Sequence, residues 1–232
     1  MKYCVTIILC LTCFIAAAED YISYYNYCNE GDRYVYMKEY ELALEQYELG
    51  LAAVKYVHVH QLEKASFCAA KVGEFESCAF YAKEAILNGS TAYFLKRKAF
   101  RNFRRTPHYS SLEASFDQLK SQHLSSINLI YKQLIDSLHY IDQRVIRGNS
   151  SVKGKYAIDK DSLPEDRYEL DARNFALLLE LIDLYGFPSE KNIGPEGYAN
   201  AWALLHHNLR LPENSAYLPM AKLAVENGEY LP

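Results

Sequence analysis

The pattern of apolar and polar positions is clearest between Asp171 and His207. Leu170, Asn174, Leu177, Leu178, Leu181, Ile182 and Tyr185 recur at helical spacing, which predicts an amphipathic helix with one apolar face. Gly186 supplies a left-handed stop, and Pro188 cannot continue the helix. A second helix is predicted to begin near Pro195 and to carry Ala199, Trp202, Ala203 and His206 down one side. Upstream, Ile127, Ile130, Leu134, Leu138, Ile141 and Val145 step by three or four, predicting a helix over Ser125 to Arg147 that Gly148 ends. Asn149 to Asp161 is polar and reads as a linker or long loop. Ser162-Leu163-Pro164-Glu165 then has the capping-box pattern that starts the central helix. Leu211-Pro212 breaks the chain after His207, and a last helix runs from about Tyr217 through Met220, Leu223 and Ala224, with Gly228 near its end.

The first half repeats itself. Gly31 and Tyr34 fall in one predicted helix, Lys38-Glu39-Tyr40-Glu41 forms a turn, and Ala43, Leu44, Tyr47 and Leu51 follow on the next helix. Farther on, Gly73-Glu74-Phe75-Glu76 repeats the turn, with Cys78, Ala82, Ala85 and Ile86 at the buried positions and Leu62 to Ala70 as the leading helix. This pattern resembles the tetratricopeptide repeat, in which small residues such as Gly31 and Ala43 let paired helices approach closely. Two such units need something to stack on. Thr91 to Arg105 is predicted as a third helix, and Leu112, Phe116 and Leu119 extend the apolar face beyond Pro107 as a cap. The expected fold is therefore all-α: a leader at 1–18, repeat hairpins with their cap at 19–120, and a compact helical domain at 121–232.

Composition fits a helical, globular chain: 50% of 232 residues are hydrophobic, the 21 tyrosines are numerous, and 10 Gly with 7 Pro leave few turns. A net charge of −4 gives no reason to expect nucleic-acid binding. Residues 1–18 read as a signal peptide, with Lys2 before an apolar run and Ala16-Ala17-Ala18 before Glu19, so the mature chain is expected to be periplasmic or extracellular. No membrane span is expected after its removal. Three of six cysteines lie in that leader, leaving Cys28, Cys68 and Cys78. Cys68 and Cys78 on adjacent helices are either bridged or buried free thiols. Asn88-Gly89-Ser90 and Asn149-Ser150-Ser151 are glycosylation sequons, meaningful in a eukaryotic secretory pathway.

Candidate chemistry is sparse. The run Phe94 to Arg105 interleaves Lys96, Arg97, Lys98, Arg101, Arg104 and Arg105 with Phe94, Phe100 and Phe103. The phenylalanines read as core and the cations as a solvated face, suited to an acidic partner. Asp171 and Asn174 share a helical face, either orienting a ligand or bridging helices, with Asn174 bonding backbone near Gly194. His206 is expected on the apolar side as a buried imidazole, whereas His207 as a general base would need Asp171 or Asp142 beside it. Neither a nucleophile motif nor a phosphate loop is present, and no metal or other cofactor is expected: adjacent histidines diverge on a helix, and His58-Val59-His60 sits at a helix end.

Asp142-Gln143 with a following arginine (Arg144 or Arg147), Asp171-x-x-Asn174, Gly186-Phe187-Pro188, Gly194, Ala201-Trp202, His207, Leu218-Pro219-x-Ala221 and Gly228-Glu229 stand in one order. Over residues 125–232 this order resembles an uncharacterised bacterial domain family, often found behind tetratricopeptide-like repeats in exported proteins. The chain departs from that pattern in having His206 where a Gln is usual and in lacking a Leu-rich tail with an Asp-Arg pair. The expected function is binding of a protein or peptide, through Tyr24, Tyr27, Tyr34 and Tyr36 in a curved groove and through Arg101 and Arg104. The alternatives are an enzyme, possibly hydrolase-like, using His207 with Asp171, Asn174 and Asp142, and a structural accessory domain.

Overall fold

The computed structural model describes residues 20–146, 167–209 and 212–230; the predicted leader, the 149–161 loop, the Ser162 capping box and the Asn149 sequon lie outside the described residues. Among the described residues all regular structure is helical and there is no strand, as the sequence predicts. Two hairpins open the chain. Helix α1 (Tyr21–Met37) pairs with α2 (Tyr40–Ala53), and α3 (Val59–Val72) pairs with α4 (Phe75–Leu87). Asp20 starts α1 by accepting from the Ser23 amide, a cap that satisfies one of the free first-turn N–H groups.

The close approach of α1 and α2 rests on Gly31. A Cβ there would stand 2.8 Å from Cε1 of Tyr47, whose ring is fully buried and whose hydroxyl donates to Asp32 at 2.5 Å. Ala43, Leu44 and Tyr47 fill the first hairpin, and Cys78, Ala82, Ala85 and Ile86 the second, at the positions expected. Both hairpin turns pass through a left-handed residue: Gly73 in the second, at φ 89°, and Lys38 in the first, at φ 65°.

Where a third long helix was predicted, the chain instead makes three short 3-10 turns, Ala92–Lys96, Lys98–Phe100 and Phe103–Arg105. Three aromatic rings must be buried within ten residues, and short turns aim Phe94, Phe100 and Phe103 into one core where a single helix would spread them. Arg104 supports this path by donating to the Leu95 and Arg97 carbonyls. Helices α5 (Pro107–Glu113, capped by Thr106) and α6 (Phe116–Ser126) close the repeat half through Leu112 and Leu119.

The second half is a three-helix bundle of α7 (Leu129–Ile146), α8 (Arg167–Tyr185) and α9 (Glu190–Leu209), followed by a 3-10 turn at Pro212–Tyr217 and α10 (Leu218–Glu226). In α9, Gly194 at φ 73° breaks the first turn and Pro195 restarts the helix. The predicted buried stripes are right in period and partly wrong in phase. On α7 the core takes Tyr131, Ile135 and Leu138, leaving Ile130 and Leu134 exposed. On α9 it takes Tyr198, Ala201, Leu204 and Leu205, so Trp202 is exposed and His206 only half-buried, their rings stacked at 4.4 Å. These helices are apolar over a wide arc, and only the packing partner selects which edge is covered.

Cys28, Cys68 and Cys78 are free and buried, and burial pushes each thiol up to about 12, so they act as small apolar fillers. The Asn88 amide of the first sequon is engaged, donating Nδ2 to the Val57 carbonyl at 3.0 Å.

A left-handed lysine costs conformational energy that glycine does not. Lys38→Gly should therefore stabilise the chain by about 1 kcal/mol, seen as a higher denaturant midpoint with unchanged m-value.

Candidate functional site

Polar side chains gather at several places, and the first joins the two halves. The segment leading into α3 is extended, and His58 at its N-cap makes no capping bond through its own side chain. The amide of Val59, one of the four left free at a helix start, donates instead to Oε1 of Glu190 at 2.6 Å. Glu190 belongs to the first turn of α9, so a residue of the second half caps a helix of the first. Its Oε2 lies 3.2 Å from His58 Nδ1, and Tyr56 donates its hydroxyl to Oε1 at 3.5 Å. The Tyr24 hydroxyl accepts the His58 amide at 3.2 Å.

Rings of Tyr24, Tyr25, Tyr56 and Tyr198 surround the His58 imidazole, with centroids 5.8 to 6.4 Å away. Burial, and next the Glu190 carboxylate, raises the Tyr56 phenol far above its ordinary range; burial does the same for Tyr24. Both therefore stay protonated. His58 is fully buried, so this histidine–carboxylate pair is closed to a substrate and serves the junction. Tyr25 donating to the Tyr230 carbonyl and Gly228 against the Tyr21 ring extend the same seam.

Beside the seam lies a mainly apolar cleft of about 330 Å³ between the halves, with Ile86, Phe116, His123, Ile127 and Pro195 among its walls and Lys120 and Lys132 on its polar side. Lys132 is held by Asp136 at 2.6 Å and Glu196 at 3.0 Å.

The third place is one end of the three-helix bundle. The structure brings His207 near Asp142 but not into hydrogen-bond contact, with Nδ1 3.8 Å from Oδ2, an ion-pair distance longer than the hydrogen bond that orients a general base. Gln143 donates to the same oxygen at 3.1 Å. Asp142 is 3% exposed and His207 40%. Asn174 is buried, yet neither its Oδ1 nor its Nδ2 has a partner among the described residues, so the expected bond to backbone near Gly194 is not made. Gly194 instead packs close to the His123 ring and Ile127. Asp171 is half-buried on the adjoining turn of α8. Sequence reasoning missed Asn208, buried one residue beyond His207, because an Asn near a helix end carries no distinctive pattern. It also missed Glu190. Among the described residues no cluster of three or more His, Cys, Asp or Glu is placed to hold a metal.

The residues expected on a partner surface separate. Tyr24 is core and cannot face a groove. Tyr27 and Tyr36 are exposed, Tyr36 at 89%, and Tyr34 is half-buried beneath the Arg33 guanidinium at 4.9 Å. Arg101 is exposed beside Lys71 and Lys98, around a hollow of about 470 Å³. Arg104 is occupied by backbone carbonyls and is a structural clamp.

Removing the Glu190 carboxylate leaves a buried imidazole nitrogen and a helix-start amide unpaired. Glu190→Ala should cost about 3 kcal/mol and speed hydrogen exchange at Val59 more than in the three-helix core. A pH effect follows from His123, whose imidazole burial holds below its ordinary value near 6.5. As pH falls through about 6.5 the unfolded chain takes up a proton that the folded chain still refuses, so the folded state loses stability. The Tm of the wild type relative to His123→Gln should therefore drop between about pH 7 and pH 5, measured by thermal denaturation.

No family model matches this chain, and comparison with curated proteins and with solved structures gives no significant match.

Proposed function

We propose that this is an exported helical-repeat protein that binds an acidic segment of a protein partner on its repeat half. The observation that carries the reading is the hollow of about 470 Å³ between the end of α3 and the 3-10 segment. Lys71, Lys98 and Arg101 line it together with Ala70, Ala99 and Asn102, and no acidic residue is among its walls. Three unopposed cations around a concavity attract a carboxylate-rich chain, and the attraction weakens with salt. Aromatic area adjoins it. Lys71 Nζ stands 4.9 Å above the Tyr40 ring, and the turn before Tyr40 carries the exposed Tyr36 and Met37 at the end of α1. Such rings offer contact area at little entropic cost. The tetratricopeptide-like pairing of α1 with α2 and α3 with α4 gives this surface a rigid backing.

A fluorescein-labelled peptide alternating Glu and Phe tests the reading by anisotropy. Binding should weaken as salt is raised, and Arg101→Glu combined with Lys98→Glu should lower affinity at least about tenfold. Arg104→Ala should lower Tm while leaving the affinity of the folded protein nearly unchanged. If charge reversal leaves binding unaltered, or the peptide does not bind to folded protein, the acidic-partner reading is lost.

A further inference from the structure

The far end of the three-helix bundle combines buried polar groups in a way that packing does not require. Tyr131 near the start of α7 stacks on Tyr185 at the end of α8, with centroids 4.9 Å apart, and donates to the Gly186 carbonyl at 3.0 Å. The two helices are therefore antiparallel. Eleven residues along α7 lead from Tyr131 to Asp142, and eleven back along α8 lead from Tyr185 to Asn174. At 1.5 Å rise per residue both walks cover about 16 Å, so Asp142 and Asn174 reach the same level. Asn128 donating its amide to the Asn192 carbonyl at 2.8 Å sets α9 parallel to α7, and the His207–Asp142 approach brings the end of α9 to that level too.

Each of these polar residues continues an inward stripe. Asp142 follows Tyr131, Ile135 and Leu138; Asn174 stands between Leu170 and Leu178; Asn208 follows Ala201 and Leu204. Asn174 is 1% exposed with both amide atoms unpartnered among the described residues. Asn208 spends its Nδ2 on the Leu204 carbonyl at 2.9 Å and leaves Oδ1 unpartnered. An unpaired buried amide costs stability, and a leucine would fill the same stripe. The Asn174 oxygen, its Nδ2 and the Asn208 oxygen have no partner among the described residues, and they share their level of the bundle with the Asp142 carboxylate, whose Oδ2 accepts from Gln143. Acceptors predominate and one carries negative charge. His207, 40% exposed, is the more accessible partner of the nearly buried Asp142.

We infer that this bundle end is a binding site for an α-aminoacyl group: an ammonium held by Asp142 and the asparagine oxygens, its adjacent carbonyl oxygen accepting from Asn174 Nδ2. A free amino-acid derivative and the amino end of a peptide share that chemistry. The site is separate from the repeat surface and does not depend on it.

The test uses the full chain and four probes followed by two-dimensional amide NMR and thermal shift: glycinamide, glycine, triglycine and N-acetylglycinamide. Glycinamide or triglycine should move the Asn174 side-chain resonances and raise Tm, whereas N-acetylglycinamide, lacking the ammonium, should do neither. A response to triglycine alone assigns the peptide amino end, and a response to glycinamide or glycine assigns the free compound. Asn174→Leu should raise the Tm of the unliganded chain by about 3 °C and abolish the response. Asp142→Asn, which keeps the shape, should weaken binding at least about tenfold. Equal response to N-acetylglycinamide, no response to any probe, or a lower Tm in Asn174→Leu would each overturn the assignment.

Discussion

The molecule depends on one carboxylate. Glu190 accepts the free amide of Val59 and faces the imidazole of His58, so the N-terminus of α3 is completed by a residue of α9. A helix start carries unsatisfied donors and a partial positive charge, and both are met here across the seam between the halves. The tyrosines around it keep water out and strengthen the contact by lowering the local dielectric. They also explain part of the tyrosine richness: Tyr21, Tyr24 and Tyr25 belong to the seam and to the first core.

This seam has consequences for both proposed binding surfaces. With the halves clamped, the cationic hollow near α3 and the polar end of the three-helix bundle are held on one framework. The repeat half presents charge and aromatic area outward on exposed side chains. The bundle end differs: its polar groups are shielded, and the unpartnered Asn174 amide and Asn208 oxygen cost stability.

The repeat hairpins were legible in detail. Gly31, Ala43 and the turn at Gly73 are residues whose small size or free backbone is needed locally, so sequence exposes them. The segment from Ala92 to Arg105 was not, because its lack of Gly and Pro suits a helix as well as successive 3-10 turns, and burial of three rings in one core chose the latter. In the bundle, the approach of His207 to one of its candidate carboxylates could be anticipated from residue type and order. The unpartnered state of Asn174, and the burial of Asn208, could not.

The sequence by itself determined helix, period and most turns, since these follow from interactions within about four residues along the chain. It also supplied Asn174 as a polar residue in an apolar stripe, and Asp142 and His207 as candidate partners. Tertiary structure alone decided the phase of α7 and α9, putting Tyr131 inside and Ile130 outside, and Trp202 outside with Ala201 inside. It alone turned Tyr24 from a candidate surface residue into core and joined His58 to Glu190 across 132 positions. Local propensity fixes that a helix forms; which face it buries, and which distant charge completes its end, is settled only when another element packs against it.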